Sequence, residues 1–81
     1  MITMGSTYSV VLRVEIPNRP GMLAKVMNAI ARAGGDVGAI DIVGFDNGSI
    51  IRDIVANAAD LDMAKLIAAA VRRIKEIKVL N

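Results

Sequence analysis

Residues 18–23, Asn-Arg-Pro-Gly-Met-Leu, carry the residue types with which this chain could bind a small ligand. We expect Asn18 or Arg19 to cap a following helix, because Asn is among the preferred capping side chains. Pro20 suits the first turn of that helix, where its missing amide proton costs no hydrogen bond. Gly21 lacks a Cβ, so another molecule could approach the backbone there. Free amides at the positive end of a helix would favour a small anion, although an ordinary strand-to-helix turn explains the same residues.

The composition excludes several kinds of chemistry. The 81 residues contain neither cysteine nor histidine, so the chain has no thiolate ligand and no imidazole to act as a general base. No nucleophile and base can be paired from the remaining residues, and we therefore expect no catalytic residue, no metal and no cofactor. Ten basic and eight acidic side chains nearly balance, which gives little support to a nucleic-acid partner.

The hydrophobic fraction, 54%, is high for a chain of 81 residues. A small domain buries a limited share of its surface, so we expect part of the apolar area to be covered in a homodimer or higher homo-oligomer. No apolar run approaches the roughly 18 to 20 residues that span a bilayer, and the N-terminus lacks the pattern of a signal peptide. We expect a cytoplasmic protein without a membrane partner, with a disordered extension at residues 1–6 and one domain at residues 7–81.

Hydrophobic periodicity predicts the first half of the fold. Alternation over residues 8–16 indicates a strand, whose inward face would carry Tyr8, Val10, Leu12, Val14 and Ile16. The helical stripe that follows is formed by Leu23, Val26, Met27 and Ile30. The Gly34-Gly35 pair should end this helix. A second strand over residues 36–45, with Gly38 as a bulge, leads into a hairpin turn at residues 46–48, Asp-Asn-Gly.

The second half is less sharply patterned. The return strand over residues 49–57 is apolar on both faces, so the sequence does not decide which face points to the core. One face carries Ile50, Ile54 and Ala56, and the other carries Ile51 and Val55. Asp60 or Asp62 should cap a second helix. Its inward residues would be Met63, Leu66, Ile67, Ala70 and Ile74. Residues 76–80 predict a last strand with Ile77 and Val79 toward the core.

The element order is strand, helix, two strands, helix, strand. With an antiparallel hairpin in the middle, it predicts an α+β fold of the ferredoxin-like βαββαβ type. Right-handed crossovers place both helices on one face of a four-stranded antiparallel sheet. The first and third strands should be central, and the other two should be edges available to another copy of the chain.

Other functions of this fold fit the residues less well. RNA-binding domains stack bases on strand aromatics, and this chain has one Tyr and one Phe in all. Metal-transfer domains need a pair of thiolates. Acylphosphatase-like hydrolases hold a phosphate with an arginine after the first strand, as Arg19 could, and use a nearby asparagine. Their loop is longer and contains Gly and Gln, however, and Asn47 lies far along this chain.

Two segments resemble the ACT domain family, residues 13–24, RVEIPNRPGMLA, and residues 33–42, AGGDVGAIDI. Residues 7–57, which include Arg52-Asp53-Ile54, are most similar to the ACT domain at the N-terminus of bacterial NAD-dependent malic enzymes. ACT domains are regulatory modules that bind small effectors, usually amino acids and commonly between two copies of the domain. The resemblance implies that Asn18 hydrogen-bonds the effector, that Pro20 shapes the turn, and that the ligand carboxylate meets the backbone amides of Gly21, Met22 and Leu23.

The resemblance places the other half of the site at the start of the second strand, Asp36 and Val37. Many amino-acid-binding members have asparagine where this chain has Asp36. Its carboxylate would attract a ligand ammonium and repel a second carboxylate, unless Arg19 offset the charge. Both side chains also have ordinary explanations, since Arg19 could be a solvated turn residue and Asp36 a plain residue at the start of a strand.

The leading interpretation is a non-catalytic regulatory domain. It would sense a small carboxylate effector, an amino acid in the first place, at a site between subunits and control an attached metabolic enzyme such as malic enzyme. A purely structural dimerisation module is the alternative, and an acylphosphatase-like hydrolase is a more remote one.

Overall fold

The computed structural model describes residues 8–81, and the predicted extension at residues 1–6 lies outside that range. The elements follow the predicted order. They are β1 (Tyr8–Pro17), α1 (Met22–Arg32), β2 (Asp36–Asp46), β3 (Ser49–Ala58), α2 (Leu61–Arg72) and β4 (Lys78–Val79). β4 is shorter than predicted because a turn precedes it, in which the Ile77 N–H donates to the Ile74 carbonyl at 3.2 Å.

The four strands form one antiparallel sheet in the order β2-β3-β1-β4. β1 and β3 are central, and their pairing runs from Tyr8 opposite Ala58 to Pro17 opposite Ser49. The hairpin between β2 and β3 turns at Asn47 and Gly48, whose φ angles of 47° and 84° are those of the predicted tight turn. The ferredoxin-like α+β fold is therefore confirmed.

One face of β1 packs against both helices. Leu12, Val14 and Ile16 are buried as the alternation predicts, whereas Tyr8, at the open end of the strand, is 41% exposed. The helices add Val26, Ile30, Ile67 and Val71 to the same cluster. Each such side chain contributes roughly 1.5–3 kcal/mol when fully buried, so this layer is the main source of stability.

The register of β3, which the sequence leaves open, is resolved by its pairing with β1. Ile54 lies opposite Leu12 and Ala56 lies opposite Val10, so both point toward the helices, and both are buried. Residues directly opposite each other in a sheet share a face, which puts Arg52 on the helix side together with Ile54. Neither periodicity nor composition separates the two faces of this strand, because both are apolar.

Both helix starts differ in detail from expectation. α1 has Gly21 as its N-cap, with φ 84°, so the prediction of Asn18 or Arg19 at the cap is wrong, and Pro20 precedes the helix. The backbone N–H of Asn18 donates to the Gly48 carbonyl at 2.9 Å, which holds that residue to the hairpin and away from the cap. At α2 the cap is Asp60, whose Oδ1 accepts from the Met63 N–H at 2.8 Å.

The buried stripe of α2 is partly mispredicted. Its buried residues are Ala64, Ile67, Ala68 and Val71. Leu66, predicted to point inward, is 60% exposed. Two of the four inner positions are alanines, Ala64 and Ala68. The end of α1 packs tightly against α2, since a Cβ at Gly35 would lie 2.5 Å from Ile67 Cδ1.

β2 carries irregularities and an uncovered apolar row. The pairing with β3 shifts between Val37 and Ala39, which confirms the bulge at Gly38, and shifts again between Ile42 and Gly44, which was not predicted. Ile40 and Ile42 lie opposite Ile54 and Arg52, on the helix side of the sheet, yet both are exposed. The helices thus leave this edge open.

Candidate ligand-binding site

The loop between β1 and α1 is anchored at both ends. The Asn18 N–H donates to the Gly48 carbonyl at 2.9 Å, and the Arg19 N–H donates to the Pro17 carbonyl at 2.8 Å. At the other end, the Lys25 N–H donates to the Gly21 carbonyl at 3.2 Å as the first turn of α1 begins. The loop therefore has a defined conformation beside the β2–β3 hairpin.

Two of the three predicted carboxylate-binding amides are available. The Met22 N–H donates to the Arg19 carbonyl at 3.3 Å, and the Met22 side chain is 4% exposed and belongs to the core. Within residues 8–81, the N–H groups of Gly21 and Leu23 have no hydrogen-bond acceptor. Apart from the two adjacent residues, no described atom lies within 4 Å of where a Cβ on Gly21 would be, so this stretch of backbone is open.

A small cavity of about 80 Å³ opens next to the loop. Its lining consists of Ile16, Pro17, Asn18, Arg19, Leu23, Ile50 and Arg52. Pockets that enclose a whole small molecule measure about 300–1,000 Å³, so this cavity can take one functional group of a ligand and leaves the rest uncovered. In a single copy of the chain this cavity is therefore too small to enclose a whole ligand.

Arg52 is the residue of this cavity that the sequence analysis missed. It lies on β3 opposite Val14 of β1 and Ile42 of β2 and is half-buried on the helix side. Its guanidinium forms no hydrogen bond or ion pair within residues 8–81. A cation in apolar surroundings is costly unless it is paired. A guanidinium can bind a carboxylate through two parallel hydrogen bonds, and its planar donors match that group.

Arg19 is already engaged. Its guanidinium donates to the carboxylate of Glu76 and lies 3.6 Å from the Met22 sulfur, while Lys25 Nζ donates to the other oxygen of Glu76 at 3.0 Å. The hydrogen bond from Lys25, and then that from Arg19, lowers the pKa of Glu76. The charge of Arg19 is therefore shared with Glu76, and this residue is less able than Arg52 to offset a ligand carboxylate or to hold a phosphate.

Asp36 and Val37 lie at the other end of the sheet. Asp36 pairs with Asn57 of β3, whereas the loop follows Pro17, which pairs with Ser49. The eight residues from position 49 to position 57 span about 26 Å at about 3.3 Å each. One copy of the chain does not bring the two predicted halves of the site together.

The described residues contain neither a cluster of metal ligands nor a membrane-spanning helix. Among residues 8–81 no group of three or more acidic side chains is arranged to hold a metal ion. None of the helices in this range is long and apolar enough to cross a membrane.

The fold and the loop define a ferredoxin-like α+β domain whose strand-to-helix turn faces solvent. The ACT domain family model matches residues 10–77, and the chain belongs to that family. ACT domains are generally regulatory domains that bind small ligands.

The chain is also similar to the NAD-dependent malic enzyme of Geobacillus stearothermophilus. The two are 27% identical over 77 residues, which cover 95% of this chain and 16% of that protein. The chain thus spans less than a fifth of the length of this curated relative.

Proposed function

We propose that this domain is a non-catalytic sensor that binds a small carboxylate effector, an amino acid in the first place, and controls an attached metabolic enzyme. The observation that carries the proposal is Arg52, a half-buried guanidinium without an anionic partner in residues 8–81, in the same cavity as Asn18 and Leu23. The effector carboxylate would bind Arg52 and meet the free N–H groups of Gly21 and Leu23 at the positive end of α1. The Asn18 side chain would hydrogen-bond the remainder of the ligand.

The second half of the site would come from another copy. Phe45 is 74% exposed and Ile42 is 55% exposed, both on the uncovered helix side of the β2 edge. Antiparallel pairing of two β2 edges would cover this apolar row. It would also bring Asp36 of the partner subunit toward the hairpin end, where the loop lies, and its carboxylate would accept hydrogen bonds from a ligand ammonium.

Malic enzyme is the enzyme that we propose is controlled. This rests on the similarity to the Geobacillus protein, of which the present chain matches a minor part. An effector regulates such an enzyme only if it binds one arrangement of the two domains better than the other. Coupling free energies of about 1–3 kcal/mol are typical, and they correspond to a change of about 5- to 150-fold in the affinity of one site when the other is occupied.

Titration calorimetry of the protein with amino acids and dicarboxylates tests ligand binding. We expect saturable binding of an amino acid that weakens about three- to tenfold in Asn18→Ala, because one hydrogen bond is lost. Asn28→Ala, which removes the same side chain from an exposed position outside the proposed site, should bind like the parent. If the dimeric protein binds none of these ligands at millimolar concentration, the proposal that it is a sensor is wrong.

Light scattering tests the assembly. Phe45→Glu should shift the protein toward monomer and weaken ligand binding at least tenfold, because it places a charge in the proposed interface. Leu61→Glu makes the same kind of change at an apolar residue that is 50% exposed on α2. It should leave the oligomeric state and ligand binding unchanged. If both variants stay dimeric, the β2 edge is not the interface.

The exposed β2 row supports a second candidate, a purely structural dimerisation module. That candidate predicts the same response to Phe45→Glu but no heat of binding with any small carboxylate. The two experiments together separate it from the sensor.

A further inference from the structure

A groove of about 600 Å³ runs between α1 and α2 on the side away from the sheet. It is larger than the cavity beside the loop and shares no residue with it. Its floor is made of small and aliphatic side chains, Ala29, Ala33, Ala70 and Ile74. Leu66, 60% exposed, stands on its wall.

The rim of the groove is basic at both ends. The helices are antiparallel, since Lys25 near the start of α1 contacts Glu76 beyond the end of α2, and Gly34 after α1 adjoins Met63 at the start of α2. Arg73 therefore stands with Lys25 at one end, and Arg32 stands at the other.

The distance between these ends matches two helical turns. Lys25 and Arg32 are seven residues apart on α1, which corresponds to about 10 Å at about 1.5 Å per residue. No acidic residue lines the groove, and neither Arg32 nor Arg73 has an ion pair within residues 8–81. Lys25 alone of the three is paired, through Glu76.

We propose that this groove docks an acidic amphipathic helix of a partner protein. Alanines on the floor allow a third helix to approach closely, and Leu66 and Ile74 would pack against its apolar face. Two carboxylates about two turns apart would meet the guanidinium groups of Arg32 at one end and Arg73 at the other, both unpaired within residues 8–81.

Charge and polarity argue against two other possible occupants of the groove, a second copy of this chain and a nucleic acid. A second copy of this chain placed face to face would set the same basic rim against itself, and like charges oppose that contact. A nucleic acid would need a row of cations along its phosphates, whereas the floor of this groove is apolar. An acidic helix with an apolar stripe complements both the rim and the floor.

The test uses a synthetic helical peptide of 15 residues, rich in Ala and Leu, with Glu at two positions seven residues apart and a fluorophore for anisotropy. We expect saturable binding with a Kd below about 1 mM, which corresponds to about 4 kcal/mol. Arg73→Glu and Arg32→Glu should each weaken binding about fivefold, and added salt should weaken it as well. Lys65→Glu makes the same charge change on an exposed residue of α2 outside the groove and should have little effect.

A second peptide, with Lys in place of both Glu, completes the design. It should bind the parent protein more weakly than the acidic peptide and should bind Arg32→Glu/Arg73→Glu more tightly than it binds the parent. Equal binding of both peptides to the parent, equal loss in Lys65→Glu and Arg73→Glu, or no binding of the acidic peptide at 1 mM would overturn the proposal. Circular dichroism of each variant establishes that it is folded.

Discussion

Arg13 and Arg52 lie on the two central strands, one residue apart in register, and face opposite sides of the sheet. Arg13, on the face away from the helices, donates from Nε and Nη2 to the two carboxylate oxygens of Asp53 at 2.8 and 2.9 Å. This hydrogen-bonded pair lowers the pKa of Asp53. Arg52, on the helix side, is half-buried and has no such partner within residues 8–81.

We propose that the two arginines serve different purposes in one sheet. Arg13 is 47% exposed and already holds a carboxylate, so it links two strands. Arg52 is in a more apolar setting, where an unpaired charge destabilises the fold and where an incoming carboxylate would be bound strongly. We infer that Arg13 is structural and that Arg52 serves the effector.

The largest expected effect on stability concerns the loop that would bind the ligand together with Arg52. Gly21 has φ 84°, so Gly21→Ala should lower the free energy of unfolding by about 1–2 kcal/mol, because a Cβ is strained in the left-handed region. Gly44 is not in that region and has open space around it, so Gly44→Ala is the matched control and should be nearly neutral. Urea denaturation measures both. Equal effects would show that the loop beside Arg52 is not specially constrained.

Replacing Arg52 and Arg13 by methionine should change the free energy of unfolding in opposite directions. Without ligand, Arg52→Met should raise the free energy of unfolding by about 1 kcal/mol, because it removes an unpaired charge from apolar surroundings. Arg13→Met should lower it slightly, because Asp53 loses its partner. Urea midpoints at neutral pH and low salt are the measurement. Destabilisation by Arg52→Met would mean that this side chain is satisfied in the folded protein and that the contrast is wrong.

The smallest expected effect is a loss of stability at acid pH. Asp53 and Glu76 have folded-state pKa values below their ordinary values of 3.8 and 4.5 because Arg13, and Lys25 with Arg19, donate to them. A lowered pKa gives stability that is present above the ordinary value and is lost as the pH falls through the folded value. Thermal melts should therefore show a modest fall in Tm below about pH 4.5. The double variant Asp53→Asn/Glu76→Gln should lose most of this dependence of Tm on pH. An unchanged dependence would show that these two ion pairs do not cause it.

The fold followed from local patterns that agree with one another. Alternation around Leu12 and Val14, the glycine pair after α1, and the turn at Asn47 and Gly48 each specify one element with a physical cause. Leu66 was wrongly predicted to face the core because two of the four inner residues of α2 are alanines, which carry little periodic signal.

The site was less predictable. Residues 18–23 stand out because Pro and Gly mark a turn, but the left-handed cap at Gly21 depends on how the loop is tied to Gly48. Arg52 could not be assigned a role, because its face depends on the register of β3, and both faces of that strand are apolar. A charged residue flanked by Ile50 and Ile54 at alternate positions was the available signal.

We propose that Arg52 binds the effector carboxylate and that Arg13 does not. The direct test is calorimetric titration of the parent, Arg52→Gln and Arg13→Gln with the amino acid that the parent binds, with each variant shown to be folded and dimeric. We predict that Arg52→Gln weakens binding about tenfold to a hundredfold, the loss of hydrogen bonds from a charged donor worth about 1.5–3 kcal/mol, while Arg13→Gln binds like the parent. Equal affinity of the parent and Arg52→Gln would contradict the account.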